Sequence, residues 1–196
     1  MRVLPLLSLL LLTPFVDAHT QEHVSTTDAN NRVGGWFGVG LTFGKLSGAA
    51  TQYSGGNYTA TVNVRTGGSI SRHIRVGGEL DVGAMEGGGS ADFGGAVVSL
   101  TLGAYAYPSA SADFFFKGGV GVRHFAEVLV EYADAATDLI GVVGMGYDWR
   151  PSGGRFSLTP FLQYTLSLST LSTEGPRGPD EWNIRVWQFG VSFTWH

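Results

Sequence analysis

Seven charged residues of this 196-residue chain share one relation. Arg65, Arg75, Glu79, Asp81, Lys117, Arg123 and Asp148 fall at positions of one parity within stretches that alternate apolar and polar residues, and Tyr105 and Gln163 stand beside them. A period of two puts such residues on a single face of extended chain. Charges of both signs held on one face away from water must pair with one another. Two chemistries follow: an ion-paired polar network that fills an interior, which is the expectation, or a narrow hydrophilic path for ions or protons. The glycine runs "GVGMG" and "GGVGV" precede no helical pattern and no Lys-Ser/Thr pair, so they do not read as phosphate cradles. The chain has no cysteine, which removes thiolate metal ligands and a cysteine nucleophile. The residues therefore assign no catalytic, cofactor-binding or metal-ligating group.

A second set of charges lies in the connections between these stretches. Glu86, Asp92, Glu127, Glu131, Asp134, Asp138, Glu174, Asp180 and Glu181 face only Lys45 and Arg177. Solvated surface charge is the ordinary reading. Divalent cations could bridge such carboxylates to lipid phosphates, but no segment has the spacing of a calcium loop. The net charge of −4 gives no reason to expect a nucleic-acid partner.

The elements that position these side chains are extended. From Val33 onward the period-two pattern recurs eight times, divided by clusters of Gly, Ser, Pro and Asp. Apolar faces run Phe37, Val39, Leu41, Phe43; Tyr58, Ala60, Val62, Val64; Ile74, Val76, Leu80, Val82; and Ala96, Val98, Leu100, Leu102. They continue as Phe114, Phe116, Val120, Val122; Leu139, Val143, Met145, Tyr147; Phe156, Leu158, Leu162, Tyr164; and Trp187, Phe189, Val191, Phe193, Trp195. The opposite faces carry small or polar residues. Pro160 interrupts the seventh segment, where a bulge is expected. The connections "SRHI", "YPSASAD" and "WRPSGGR" are tight, and those between them, including the region around 127–138, are longer. This alternation fits a transmembrane up-and-down barrel with both termini at the short-turn end. The fifth segment keeps its parity as far as Tyr132, which predicts a hairpin over 114–138 that protrudes beyond a bilayer and could bind another protein by strand addition.

Composition decides what the apolar face meets. Charged residues make up 14% of the chain and glycine supplies 30 residues, with only two lysines, Lys45 and Lys117. A soluble lipocalin-like barrel, the rival reading, would cover its water-facing side with Lys, Glu and Thr. Here the second face instead holds Gly34, Gly38, Gly40, Gly44, Gly77, Gly83, Gly119, Gly121 and Gly190, which suits the cramped inside of a narrow tube. Phe114, Phe116, Tyr147, Trp149, Phe156 and Trp195 gather near the short-turn ends as an interface girdle, and Trp187, with Phe43 and Tyr58, belongs to the opposite one.

The N-terminus reads as an export leader: Arg2, an apolar run from Val3 to Val16, and Ala18 at the cleavage position. The expected organisation is a signal peptide over 1–18, a polar tail over 19–32 and a barrel over 33–196.

With its leader, eight alternating segments and the final "WQFGVSFTWH", the chain resembles the OmpA/OmpX-like outer membrane β-barrel family of Gram-negative bacteria over residues 33–196. That resemblance implies a monomer in the bacterial outer membrane, in contact with its lipids and lipopolysaccharide, and delivered by the barrel assembly machinery. The family's closing strand usually ends on Phe, whereas this chain has Trp195 followed by His196. The implied role is structural or surface-interactive, with an extracellular protein as one kind of partner and no cofactor. The alternative is a narrow channel or a passive carrier of small or hydrophobic solutes. "RHFAE" also faintly resembles the His-x-Ser element of lipid A deacylases, but the nucleophile position is Ala126, so no enzyme is expected.

Overall fold

The computed structural model describes residues 34–48, 58–86, 94–128, 133–151, 155–174 and 183–196. The expected leader and polar tail lie outside the described residues. Eight strands follow in order: β1 (Gly35–Gly48), β2 (Tyr58–Ser69), β3 (Ile74–Glu86), β4 (Gly94–Ala106), β5 (Phe114–Val128), β6 (Ala133–Tyr147), β7 (Phe156–Glu174) and β8 (Ile184–Trp195). Each pairs antiparallel with its sequence neighbour, and β1 closes on β8, from Phe37↔Trp195 to Gly48↔Ile184. The eight-stranded, all-β up-and-down barrel expected from the sequence is the architecture observed.

Alternation decides which way each side chain points. In β1 every second residue from Trp36 to Leu46 is buried while its neighbours are exposed, and in β8 every second residue from Ile184 to Thr194 is buried between exposed or half-buried neighbours. The exposed face carries the large hydrophobics: Leu41 is 56% exposed, Leu102 68%, and Phe189 57%. A closed sheet with no free edge can turn this face outward only if the surroundings are apolar or another surface covers it.

Glycine sets how the interior packs near the short-turn end. Gly67, Gly77, Gly103 and Gly119 face one another in a row across β2, β3, β4 and β5. The ring of Trp36 lies against this row, and a Cβ built at Gly77 would sit 2.6 Å from the indole. Any larger residue at Gly77 would force the indole off its seat, so here glycine is required by close approach.

Three local features differ from the sequence reading. The region around 127–138 is mostly strand: β5 and β6 stay paired up to Val128↔Ala133. Both flanks of this hairpin are occupied, by β4 as far as Gly94↔Val128 and by β7 as far as Ala135↔Glu174, so its strands offer no free edge over those rungs. The tip that would carry strand addition, 129–132, lies outside the described residues.

Pro160 makes no bulge. Its register with β8 is unbroken at Pro160↔Val191. Leu158 exchanges both backbone bonds with Trp149, so Pro160, two residues on, also faces β6. There the ladder stops at Gly146↔Phe161 and resumes only as the isolated Trp149↔Leu158 bridge. The missing N–H falls in that gap. The bulges of β7 are higher up, where Leu168 and Leu171 are each skipped in the pairing with β6.

Candidate functional site: a filled barrel interior

The inward face is stacked in three layers along the barrel. At the short-turn end Trp36, Tyr105, Tyr107 and Phe115 form an aromatic cluster, with Trp36 edge-on to Tyr105 at 5.2 Å and Tyr105 edge-on to Phe115 at 5.5 Å. At the other end Leu46, Met85, Val97, Phe125, Ala136, Ile184 and Val186 form an apolar plug. The polar network lies between and around them.

Among the described residues eight ionisable groups are buried in this interior, four basic (Arg65, Arg75, Lys117, Arg123) and four acidic (Glu79, Asp81, Asp138, Asp148). Equal numbers of the two kinds can offset one another in a region where a lone ion would cost several kcal/mol. Six of the eight meet as three ion pairs. Beside the aromatic cluster Arg75 lies 3.5 Å from Asp148, whose carboxylate also accepts bonds from Tyr107 at 2.8 Å and Thr159 at 2.9 Å. Thr159 contacts Ser157, and Ser157 contacts the His196 ring at 3.0 Å. The Arg65 guanidinium donates to Ser192 and, at 2.9 Å, to Thr194, and stacks 5.3 Å over Phe161.

In the middle layer Glu79 accepts bonds from Tyr105 and from Lys117. Lys117 also donates to Gln163 at 2.9 Å, and Gln163 donates to Gln188 at 2.8 Å. Asp81 accepts from Asn63 at 3.0 Å. Nearest the apolar plug, Arg123 donates to Asp138 at 3.2 Å and to the Ile184 carbonyl at 2.9 Å, and its guanidinium lies 4.4 Å from the Phe125 ring centre.

All nine residues expected in the interior polar network are therefore there. One partner was assigned elsewhere: Asp138, expected among the solvated outer carboxylates, is fully buried against Arg123. The inward aromatics Trp36, Tyr107, Phe115, Phe125 and Phe161 were not foreseen, nor were the inward aliphatics of the plug. Their parity was legible, and it was their apolar character that hid them. Ile140 and Val142, which blur the alternation of β6, point inward and are buried.

Among the described residues the interior is filled rather than open: two cavities within it measure about 20 Å³, between the middle layer and the plug, and about 10 Å³, among the short-turn aromatics, each with room for roughly one water. We expect planar-bilayer recordings of the intact protein to show no steady open level, and Phe125→Ala with Met85→Ala to create one. A sustained open level in the unaltered protein would restore the channel reading.

The outward aromatics fall into two groups. Phe116, Tyr147, Trp149, Phe156 and Trp195 are exposed toward the short-turn end, with Phe114 half-buried 4.9 Å from Phe116 and opposite Tyr147. Toward the other end Trp187 stacks on Tyr164 at 4.6 Å and pairs across β1 with Lys45, which in turn faces Tyr58. His124 points outward and its Nδ1 lies 3.0 Å from Thr137 Oγ1, a hydroxyl that the sequence reading did not consider. Among the described residues no cluster of three or more His, Asp or Glu could hold a metal ion.

No family model matches the chain, and no curated protein matches it in sequence. Solved structures do share its architecture. The Neisserial surface protein NspA aligns with a TM-score of 0.56 at 12% identity, covering 82% of this chain and 96% of that one. Ail, the attachment invasion locus protein of Yersinia pestis, aligns with a TM-score of 0.56 at 12% identity, covering 84% and 98%. A second structure of Ail, in complex with the heparin analogue sucrose octasulfate, aligns at 0.52 and 11% identity, covering 84% and 98%. The chain has the fold of the eight-stranded outer membrane barrels, the OmpA/OmpX-like architecture.

Proposed function

We propose that this chain is a β-barrel of the Gram-negative outer membrane with a structural or surface-interactive role. The observation that carries the reading is the inversion of an ordinary protein: all eight buried charges are inside, and the exposed wall presents Phe37, Leu41, Leu100, Leu102, Val120 and Phe193. In water such a wall would associate or aggregate. In lipid it is the stable arrangement, since closure leaves no strand edge unpaired. Aromatics toward both ends of the wall suit the two interfaces of a bilayer. Interior packing favours a sealed wall over a channel.

A surface role has further support in the two named neighbours, one a surface protein and the other an attachment and invasion protein. Their low identity carries the fold, so the particular partner is a separate question. The direct experiment is membrane fractionation followed by gel migration with and without boiling. We expect the protein in the outer membrane fraction, migrating faster unheated than heated. Recovery of a detergent-free soluble monomer would refute the reading.

A further inference from the structure

The tight connections of the barrel carry basic charge. The turn from β2 to β3 holds Arg72 and His73, and the connection from β6 to β7 holds Arg150 and Arg155. The acids of the tight connections are Asp113, which is half-buried, and Asp148, which is turned inward against Arg75. Arg72 is held clear of the wall. Ser71 Oγ accepts from the backbone N–H groups of His73 and Ile74, at 3.2 and 3.1 Å, and Ile70 and Ser71 both donate to the Ile74 carbonyl. The turn is closed on itself, and Arg72 and His73 stand exposed at its tip.

Above this turn the outward face is hollowed. A groove of about 770 Å³ crosses the wall from β2 to β5. One of its rungs reads Gly68, Val76, Ala104 and Gly118, and the next reads Thr66, Gly78, Leu102 and Val120. A Cβ built at Gly68 or Gly118 would touch nothing within 4 Å, so no side chain of the wall fills the hollow. On the turn side its lip is Ile70 and Ile74, 69% and 43% exposed. Three residues along β3 separate His73 from Val76, a distance of roughly 10 Å. A phosphate at the turn and a hydrocarbon chain in the hollow therefore fit within one lipid.

Resting on the outer membrane reading, we propose that the β2–β3 turn and the groove above it bind an anionic phospholipid of the leaflet at the short-turn end, with its phosphate on Arg72 and His73 and one acyl chain in the groove. The Arg72 guanidinium forms charge-assisted bonds to phosphate. Basic residues at a membrane surface favour anionic headgroups over zwitterionic ones. The glycines supply the second requirement, a seat that a chain can occupy without displacing a side chain.

The test uses the full protein in phosphatidylcholine nanodiscs, with phosphatidylglycerol and phosphatidylethanolamine as probes, read by native mass spectrometry. We expect phosphatidylglycerol to be retained over phosphatidylethanolamine. Arg72→Gln with His73→Gln should reduce that preference about fivefold, and Lys45→Gln, at the opposite end of the wall, should leave it unchanged. Gly68→Leu with Gly118→Leu fills the groove at two positions that have free space and keeps the charge. It should also weaken retention, and provides a second variant should the glutamine pair fail to fold. Equal retention of the two lipids by the parent, unchanged retention in the glutamine or the leucine variant, or an equal loss from Lys45→Gln would overturn the site. The heat-dependent gel shift is measured on each sample: its loss from the parent would sink the outer membrane reading instead.

Discussion

Replacing Asp138 with leucine is expected to lower the stability of the folded barrel by about 3–5 kcal/mol. The Asp138 carboxylate is fully buried and bonded to Arg123 at 3.2 Å. Without it the guanidinium keeps only the Ile184 carbonyl at 2.9 Å and the face of Phe125, and an uncompensated cation sits beside the apolar plug. Removing both charges, as Asp138→Leu with Arg123→Met, should restore most of the loss, because well-packed apolar pairs commonly match buried ion pairs. Urea titration of the protein folded into lipid vesicles, followed by tryptophan fluorescence, reads both effects. If the single variant unfolds within about 0.5 kcal/mol of the parent, the range expected at uninvolved surface positions, the pair is not the element that the geometry implies.

The second large effect tests the wall. Leu100 lies at the middle of β4, faces outward and is 43% exposed. For a barrel in water, Leu100→Arg would be close to neutral, as exposed substitutions usually are. At the midplane of a bilayer the same arginine costs about 2–4 kcal/mol, falling to about 0–1 kcal/mol near an interface. We expect the larger value for Leu100→Arg and the smaller one for arginine at Tyr58, the first residue of β2. Equal effects at the two depths would contradict a lipid-facing wall.

The sequence revealed facing better than height or partnership. Period-two alternation was enough to orient β1 and β8 residue by residue, because a strand has only two sides. It also placed Glu79 and Lys117 on the inner side. It could not say that they bond to each other, since Lys117 is on β5 and Glu79 on β3, and their meeting depends on the register of the β4 between them. Asp138 shows the same limit in another form. Its neighbours Ala135, Ala136 and Thr137 gave no apolar stripe, so the segment resembled a loop, yet pairing with β5 and β7 holds it as strand and turns Asp138 inward. Phe115 and Phe125 expose a third limit. A narrow tube must be stoppered by bulky groups near its ends, so an inward residue there is apolar for the same reason that one at mid-height is polar. Alternation carries no information on that distinction.

The two skipped leucines of β7 bear on how neighbouring molecules meet. Past Leu166↔Arg185 that strand outruns the ladder with β8, and a straight rim would be a template on which a foreign chain could lay itself. Leu168 and Leu171 crease the rim twice within four residues, and creased rims are poor templates. On the outer membrane reading, where many copies would drift past each other in one leaflet, such kinks would guard against one molecule zipping onto the next.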